Sequence, residues 1–300
     1  MGTNDTNYAI ITDAAADIDL EVARAGGVKI IPMGYSLGDE MKTFSGVLST
    51  SDYMDFYYSQ RQGDYTKTTQ ITQEDYERYF RSYARQGMSV LYISLSSGLS
   101  QSFDSAFYAK KIVMNEYPGV DIRVVDSFSA TGGMGVYVET ALRKRAEGLT
   151  LEENCNYLNM LQGHVHVWFF VQDLDYLKRG GRISSLKSLF GKMLNVKPML
   201  MLDEMGEIVT YKNARGTDNA KEMLFELFKT HYDNGDDPIY VVDGDADSDA
   251  SDVVEMIKRF NPRGEIRRRT LSPIIGAHTG PGMVAICHSG KKMQIKVSKK

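Results

Sequence analysis

The sequence predicts an α/β protein of two lobes, a parallel-sheet α/β domain over residues 1–160 followed by a mixed α+β domain over residues 161–300. Three observations predict it. The chain's 300 residues exceed the usual single-domain size. Strand-like and helix-like segments alternate through the first half, the mark of a parallel sheet with covering helices. Beyond about residue 160 the strands lengthen, and two of them are joined by a short turn.

In order, Tyr8-Ala9-Ile10-Ile11-Thr12-Asp13 reads as the first strand, residues 17–25 as a helix, and Val28-Lys29-Ile30-Ile31-Pro32-Met33 as a second strand. A Tyr-rich amphipathic helix follows over 50–61 and another over 73–86, the second opened by Thr72 with Asp75 in a capping-box arrangement. The apolar run at 90–95 reads as a buried strand, 100–116 as a helix, 122–127 as a strand, and a helix is expected after Gly132-Gly133. In the second lobe 164–171 reads as a long strand. Residues 197–202 and 208–215 form a hairpin around Asp203-Glu204-Met205-Gly206-Glu207. Helices at 218–231 and 248–260 alternate with strands at 239–243 and 264–271.

Composition narrows the function classes. Hydrophobic residues at 42% and charged residues at 25% match an ordinary globular chain. A net charge of -4 gives no electrostatic reason to bind nucleic acid. The short basic pieces, Arg267-Arg268-Arg269 and Lys299-Lys300, read as a solvated strand edge and a frayed end. Cys155 and Cys287 lack metal-ligand spacing and suggest a reducing compartment. With no apolar run near the ~18–20 residues of a membrane span and no secretory pattern, a cytoplasmic location is expected. The formal N-myristoylation match at Met1-Gly2-Thr3-Asn4-Asp5-Thr6 is too permissive to carry weight.

Polar clusters recur where a parallel sheet binds ligands, beyond the carboxyl ends of its strands. Asp13 ends the first strand, Ser96-Ser97-Gly98 follow the strand at 90–95, and Asp126-Ser127 follow that at 122–127. Ser97-Gly98 reads as opening a helix, where free amides attract an anion; Ser97 is equally read as a plain N-cap. Thr68-Thr69-Gln70 offers hydroxyls that capping does not use, which either donate to an anion or only stiffen a strand. Gly180-Gly181-Arg182-Ile183-Ser184 is a helix stop and restart. Gly276-Ala277-His278-Thr279-Gly280-Pro281-Gly282 reads as a tight glycine-rich turn that fixes an imidazole.

Several other chemistries lack their signatures. There is no P-loop, no dinucleotide-binding glycine fingerprint, and no nucleophile elbow around any serine. The run Asp243-Gly244-Asp245-Ala246-Asp247 lacks the glycine and the bidentate glutamate of a calcium loop. His164 and His166 share a strand face without a further ligand at suggestive spacing, so no metal site is expected. The Leu- and Met-rich stretch 186–202 suits core filling or an apolar pocket.

Taken together, Thr12-Asp13, Thr68-Thr69-Gln70, Leu95 to Ser100, Val125-Asp126-Ser127, Gly180 to Ser184, Lys197-Pro198 and Gly276 to Gly282 resemble the bacterial DegV fatty-acid-binding proteins. These are the lipid-carrying subunits of fatty acid kinase. The resemblance spans nearly the whole chain and implies a two-lobed fold holding a long-chain fatty acid between its lobes, with no cofactor. It implies that Thr68 and Ser97 grip the carboxylate with His278 nearby, the flanking Thr69, Ser96 and Gly98 belonging to the same ligand-binding set. It further implies Arg215 at the head-group end or the kinase interface, with Arg182 in a similar role. The implied partner is a separate ATP-using kinase subunit of the dihydroxyacetone-kinase-like type that makes the acyl phosphate, so this chain presents substrate and is not itself an enzyme; transient membrane contact is compatible with that role. The pattern is departed from at Ala14, at Ile71, and at Gln101-Ser102-Phe103-Asp104, which affects loop shape and chain-length preference. Two other readings stand beside it: an autonomous hydrolase or phosphoryl-transfer enzyme using Ser97 and His278, and a regulatory module without ligand.

Overall fold

The computed structural model describes residues 6–182 and 195–293. Ile183, Ser184 and residues 186–194 of the Leu- and Met-rich stretch lie outside them. Strands β1 (Tyr8–Asp13), β2 (Lys29–Ile31), β6 (Ser89–Ser94) and β7 (Ile122–Asp126) form one sheet in the order β2-β1-β6-β7, every pair parallel. Both faces are covered, which is why Ile10, Ile11, Leu91, Tyr92 and Ile93 can all be apolar and fully buried without alternation. Helices α3 (Gln73–Ala84), α4 (Ser102–Glu116), α5 (Gly132–Ala146) and α6 (Leu151–Met160) belong to this half.

The second sheet has six strands, β8 (Val165–Phe170), β9 (Val196–Leu202), β10 (Ile208–Arg215), β11 (Ile239–Asp243), β12 (Ile266–Thr270) and β13 (Val284–Ser289), ordered β10-β9-β8-β13-β11-β12. It is mixed: β11 and β12 run parallel and the other pairs antiparallel. The β9–β10 hairpin turns at Gly206, whose φ of +67° is a conformation that glycine adopts without steric cost. One face of the sheet takes α8 (Gly216–His231) and α9 (Asp247–Phe260). Its opposite face places Val167, Phe169, Leu200 and Ala285 in the same buried cluster as Tyr92 and Met134 of the first half.

Several expectations change. The strand expected over 28–33 divides at Pro32, which has no N–H to give a ladder. Beyond it, β3 (Met33–Leu37) leaves the parallel sheet and pairs with β4 (Glu40–Phe44) and with β5, the two residues Thr68–Thr69. The helix expected from residue 100 begins at Ser102, after Gln101, which makes no capping bond; Ser97 and Gly98 lie in the turn before it and Ser97 caps nothing. The glycine-rich segment near the end is not a turn around an imidazole. Residues Pro273–Thr279 form helix α10, capped by Ser272, and glycine-favoured backbone occurs only at Gly280 and Gly282. Gly276 is helical and serves close packing, since a methyl there would stand 2.6 Å from the Tyr57 hydroxyl of α2 (Thr50–Arg61). Tyr57 Oη donates to Leu271 O at 2.9 Å, and Gln60 Nε2 donates to Gly276 O at 3.0 Å, so α2 fixes α10 in place.

Candidate functional site

The site begins with two residues that a ladder and a helix bring together. β5 lies against β3 with Thr68 opposite Tyr35 and Thr69 opposite Gly34, where the Thr69 hydroxyl occupies the space a side chain at Gly34 would need. From the other side α10 presents His278. Thr68 Oγ1 and His278 Nε2 stand 2.9 Å apart although the residues are 210 positions apart in sequence.

Burial, with the nearby Arg182 charge adding to it, pushes the His278 pKa down to about 4, so the imidazole is neutral at neutral pH. Its buried Nδ1 meets no partner among the described residues. An unpaired buried N–H is costly, which favours the tautomer with the proton on Nε2. In that state Nε2–H donates to Thr68 Oγ1 and leaves the threonine's own proton free to donate elsewhere. The ring is held close by Gly180, the residue that ends α7 (Asp175–Arg179), because any side chain at Gly180 would overlap Nδ1.

Behind this pair lies a partly open cavity of about 260 Å³ between the two halves. Met33, Leu95, Ala130, Val167, Phe169, Leu177, Leu202, Ile208, Ile274, Ile275 and Met283 supply its apolar wall. Thr68, Thr69, Gln70, Ser100, Thr131, Arg182, His278 and Thr279 supply its polar atoms. A second hollow of about 360 Å³, predominantly polar, shares Gln70, Leu99, Ser100, Arg182 and Ile208 with the first, and adds Ser97, Gly98, Gln101, Gly181 and Glu207. The mouth therefore continues outward past Thr68 toward exposed residues.

The other predicted residues take distinct places. Ser97 is exposed and lines the outer hollow; its N–H donates to Asp126 Oδ1 at 3.2 Å. Burial raises the Asp126 pKa, and hydrogen bonds to the carboxylate partly offset the rise. Ser96 is buried and structural: its hydroxyl donates to Gly206 O at 2.9 Å and accepts from Gly98 N at 3.1 Å, tying the loop after β6 to the β9–β10 turn. Gly98 is needed there because a methyl would stand 2.7 Å from Met205 O. Arg182 walls both hollows, with Nε donating to Leu99 O at 3.3 Å. Arg215 ends β10 on the exposed surface and walls neither hollow.

The sequence reading missed Thr131 and Asp17; Ser100 and Thr279 lie in motifs it singled out without being assigned to the ligand, and Asp13 was noted only as a strand-end carboxylate. Asp13 is fully buried and accepts from Tyr92 Oη at 2.8 Å, from Leu95 N at 3.1 Å and from Ala15 N at 3.0 Å, which fixes the loop that leads to Ser97. Asp17 accepts from Ser272 N at 2.9 Å and from the Thr131 hydroxyl, joining the cavity wall to the N-terminus of α10. Burial raises the Asp17 pKa to about 6 despite those bonds. A patterned search for carboxylates at strand ends finds Asp13, whereas Asp17 gives no local signal. His166 is fully buried in a stack with His288 and is not a ligand pair with His164; among the described residues no cluster could hold a metal ion. Nor is any described helix long and apolar enough to cross a membrane.

Fold and site thus define an α/β protein of three sheets with an apolar cavity whose polar end carries hydroxyls, an imidazole and a guanidinium. The chain belongs to the DegV family, whose model, described as "Uncharacterised protein, DegV family", matches residues 7–291. A DegV domain-containing protein of Clostridium perfringens is 30% identical over 284 residues, 94% of this chain and 97% of that one. Among solved structures, a fatty-acid-binding DegV family protein of Thermus thermophilus superposes with a TM-score of 0.83 at 26% identity, covering 95% of this chain and 99% of that one. The fatty acid kinase B3 protein of Streptococcus pneumoniae, loaded with linoleic acid, shares the fold with a TM-score of 0.81 at 20% identity, covering 95% and 100%.

Proposed function

We propose that this protein binds a long-chain fatty acid, with its acyl chain in the apolar cavity and its carboxylate at the mouth, and presents it to a separate ATP-dependent kinase subunit for conversion to the acyl phosphate. The observation that carries the reading is the Thr68–His278 pair at the polar end of an otherwise apolar cavity. A hydroxyl whose acceptor role is already filled by an imidazole N–H is set to donate to an anionic oxygen, and a charge-assisted bond of that kind is about twice as strong as a neutral one. Each buried methylene contributes about 0.8 kcal/mol, so the chain supplies the affinity and the head group supplies the orientation.

On this reading the Ser97 hydroxyl donates to the second carboxylate oxygen, with Thr69 and Gly98 shaping the mouth and Arg182 beside it. Arg215, away from both hollows, is assigned to the partner face. The two lobes, 1–160 and 161–300, close over the ligand between them. Presentation to a kinase is supported by the exposed residues around the outer hollow and by the fatty acid bound in the fatty acid kinase B3 protein. The test is native mass spectrometry of the purified protein, with denaturing extraction to identify bound lipid, on wild type and on Thr68→Val with Ser97→Ala. Wild type is expected to carry fatty acid, and the double variant to fold normally and carry much less. Equal lipid content in the two refutes the assignment of the head-group end.

A further inference from the structure

The outer hollow is larger than a carboxylate needs, and its charges are arranged unevenly. It continues the acyl cavity through shared walls, including Gln70, Ser100 and Arg182, and it ends on the β9–β10 turn at Glu207. Arg182 is its lining cation and Glu207 its lining anion. The Glu207 carboxylate makes no ion pair or hydrogen bond among the described residues, while its backbone is pinned, N–H to Asp203 Oδ1 at 3.0 Å and C=O from Asp203 N at 3.0 Å. Asp126 stands behind Ser97 and adds a second negative group on the first-lobe side. A fatty acid carboxylate at Thr68 leaves this hollow unfilled.

Resting on the reading above, we propose that the outer hollow receives the phosphoryl group of the acyl phosphate formed on the bound acid, and that Glu207 limits how tightly this product is retained. In the transfer one carboxylate oxygen bonds to the γ-phosphorus of ATP held by the kinase subunit. The bond from that phosphorus to the bridging oxygen of ADP breaks, ADP keeps the electron pair, and no proton moves. The ligand's head group thereby gains a second negative charge at the end of the cavity whose adjoining hollow is lined by Glu207. Arg182 attracts the new charge and Glu207 repels it, so the hollow admits the product without trapping it. Substrate, with a single charge seated further in, is affected less by Glu207.

The experiment measures equilibrium binding of palmitate and of the non-hydrolysable methylene analogue of palmitoyl phosphate, in which CH2 replaces the bridging oxygen. Wild type, Glu207→Gln and Arg182→Gln are compared by the ratio of analogue affinity to palmitate affinity. Glu207→Gln raises the ratio about fivefold, an effect that shrinks at high salt because the hollow is open to ions. Arg182→Gln lowers the ratio about tenfold. A merely structural role for Glu207 moves both ligands together. Palmitate binding with a ratio unchanged in Glu207→Gln, or lowered in it, overturns this inference alone. A wild-type protein that fails to bind palmitate overturns the underlying reading and this inference with it.

Discussion

The site's geometry depends on the absence of one methyl group at Gly180, and the change to test is Gly180→Ala. The backbone there has φ -71° and ψ -11°, ordinary right-handed helical values that alanine adopts freely. With open space beside it, the substitution would stabilise the protein by about 0.4–1 kcal/mol through the unfolded chain. Space is lacking: a Cβ would overlap His278 Nδ1 and would stand 3.2 Å from both His278 Cγ and Tyr176 O. The imidazole must move, at an overpacking cost of about 1–3 kcal/mol. Displacing the ring also breaks its bond to Thr68, worth about 1 kcal/mol. Palmitate affinity measured by calorimetric titration should therefore fall about five- to tenfold, and the fold should lose roughly 1–3 kcal/mol of stability. Gly181→Ala is the control. Gly181 has φ +72° with nothing near its missing side chain, so alanine strains the backbone without touching the ring and should destabilise the fold by about 1 kcal/mol at unchanged affinity. Wild-type binding by Gly180→Ala, or equal weakening by Gly181→Ala, would refute the claim that His278 is held in place for the ligand.

Two further expectations concern stability and selectivity. Asp17, raised from 3.8 to about 6, binds its proton more readily in the folded state, so its contribution to stability is present below pH 4 and is lost as pH rises through 6. The shift corresponds to about 3 kcal/mol. His278 and His166, lowered from 6.5 to about 4, act with the opposite sign over much of the same window. The difference in unfolding free energy between wild type and Asp17→Asn, followed by urea titration from pH 4 to 7, isolates the Asp17 part; a difference independent of pH contradicts it. In the cavity, Ala130→Leu fills space with about three carbons, and at ~0.8 kcal/mol per methylene it should shift preference toward shorter acids. A competition series of saturated acids reads this directly, and an unchanged preferred length would place the acyl chain elsewhere.

Much of the fold was legible because the local signals agreed with the tertiary outcome. The runs at β1 and β6 are nearly all apolar without alternation, as strands buried on both faces must be, and Asp203 through Glu207 carries its own turn chemistry. Thr72 with Asp75 forms the full capping box. What was not legible depends on distant contacts. β3 and β5 are short and gain their pairing only when the chain after Pro32 crosses to a new sheet. α10 looks like a turn because glycines punctuate it, yet Gly276 and Gly280 answer to the side chains of Tyr57 and Tyr176. Among the predicted site residues, Thr68 and His278 meet, Ser97 and Arg182 share the adjoining hollow, and Ser96 serves the hairpin. Both readings of Ser97 that place it at a helix N-terminus, anion site or plain cap, fail because the helix starts five residues later.

The head-group end is assembled from segments that no single element could place. Thr68 comes from a two-residue strand added to the edge of β3, His278 from a helix near the end of the chain, and Arg182 from the loop after α7. Each is held by groups that touch no ligand: Asp17 anchors the start of α10, Gln60 and Tyr57 clamp its side, and Gly180 fits its imidazole. Because Asp17, Tyr57 and Gln60 tie α10 to the first half of the chain, the shape of the mouth depends on contacts between the two halves. A ligand that binds this docked state and not the separated one must stabilise the docking itself, by an amount set by its concentration relative to its dissociation constant. The same linkage runs in reverse: any event that loosens α10 or the β9–β10 turn, contact with a partner included, lowers affinity for the cargo. On the proposed reading, the buried carboxylates and close glycines around the site govern release of the fatty acid as much as its binding.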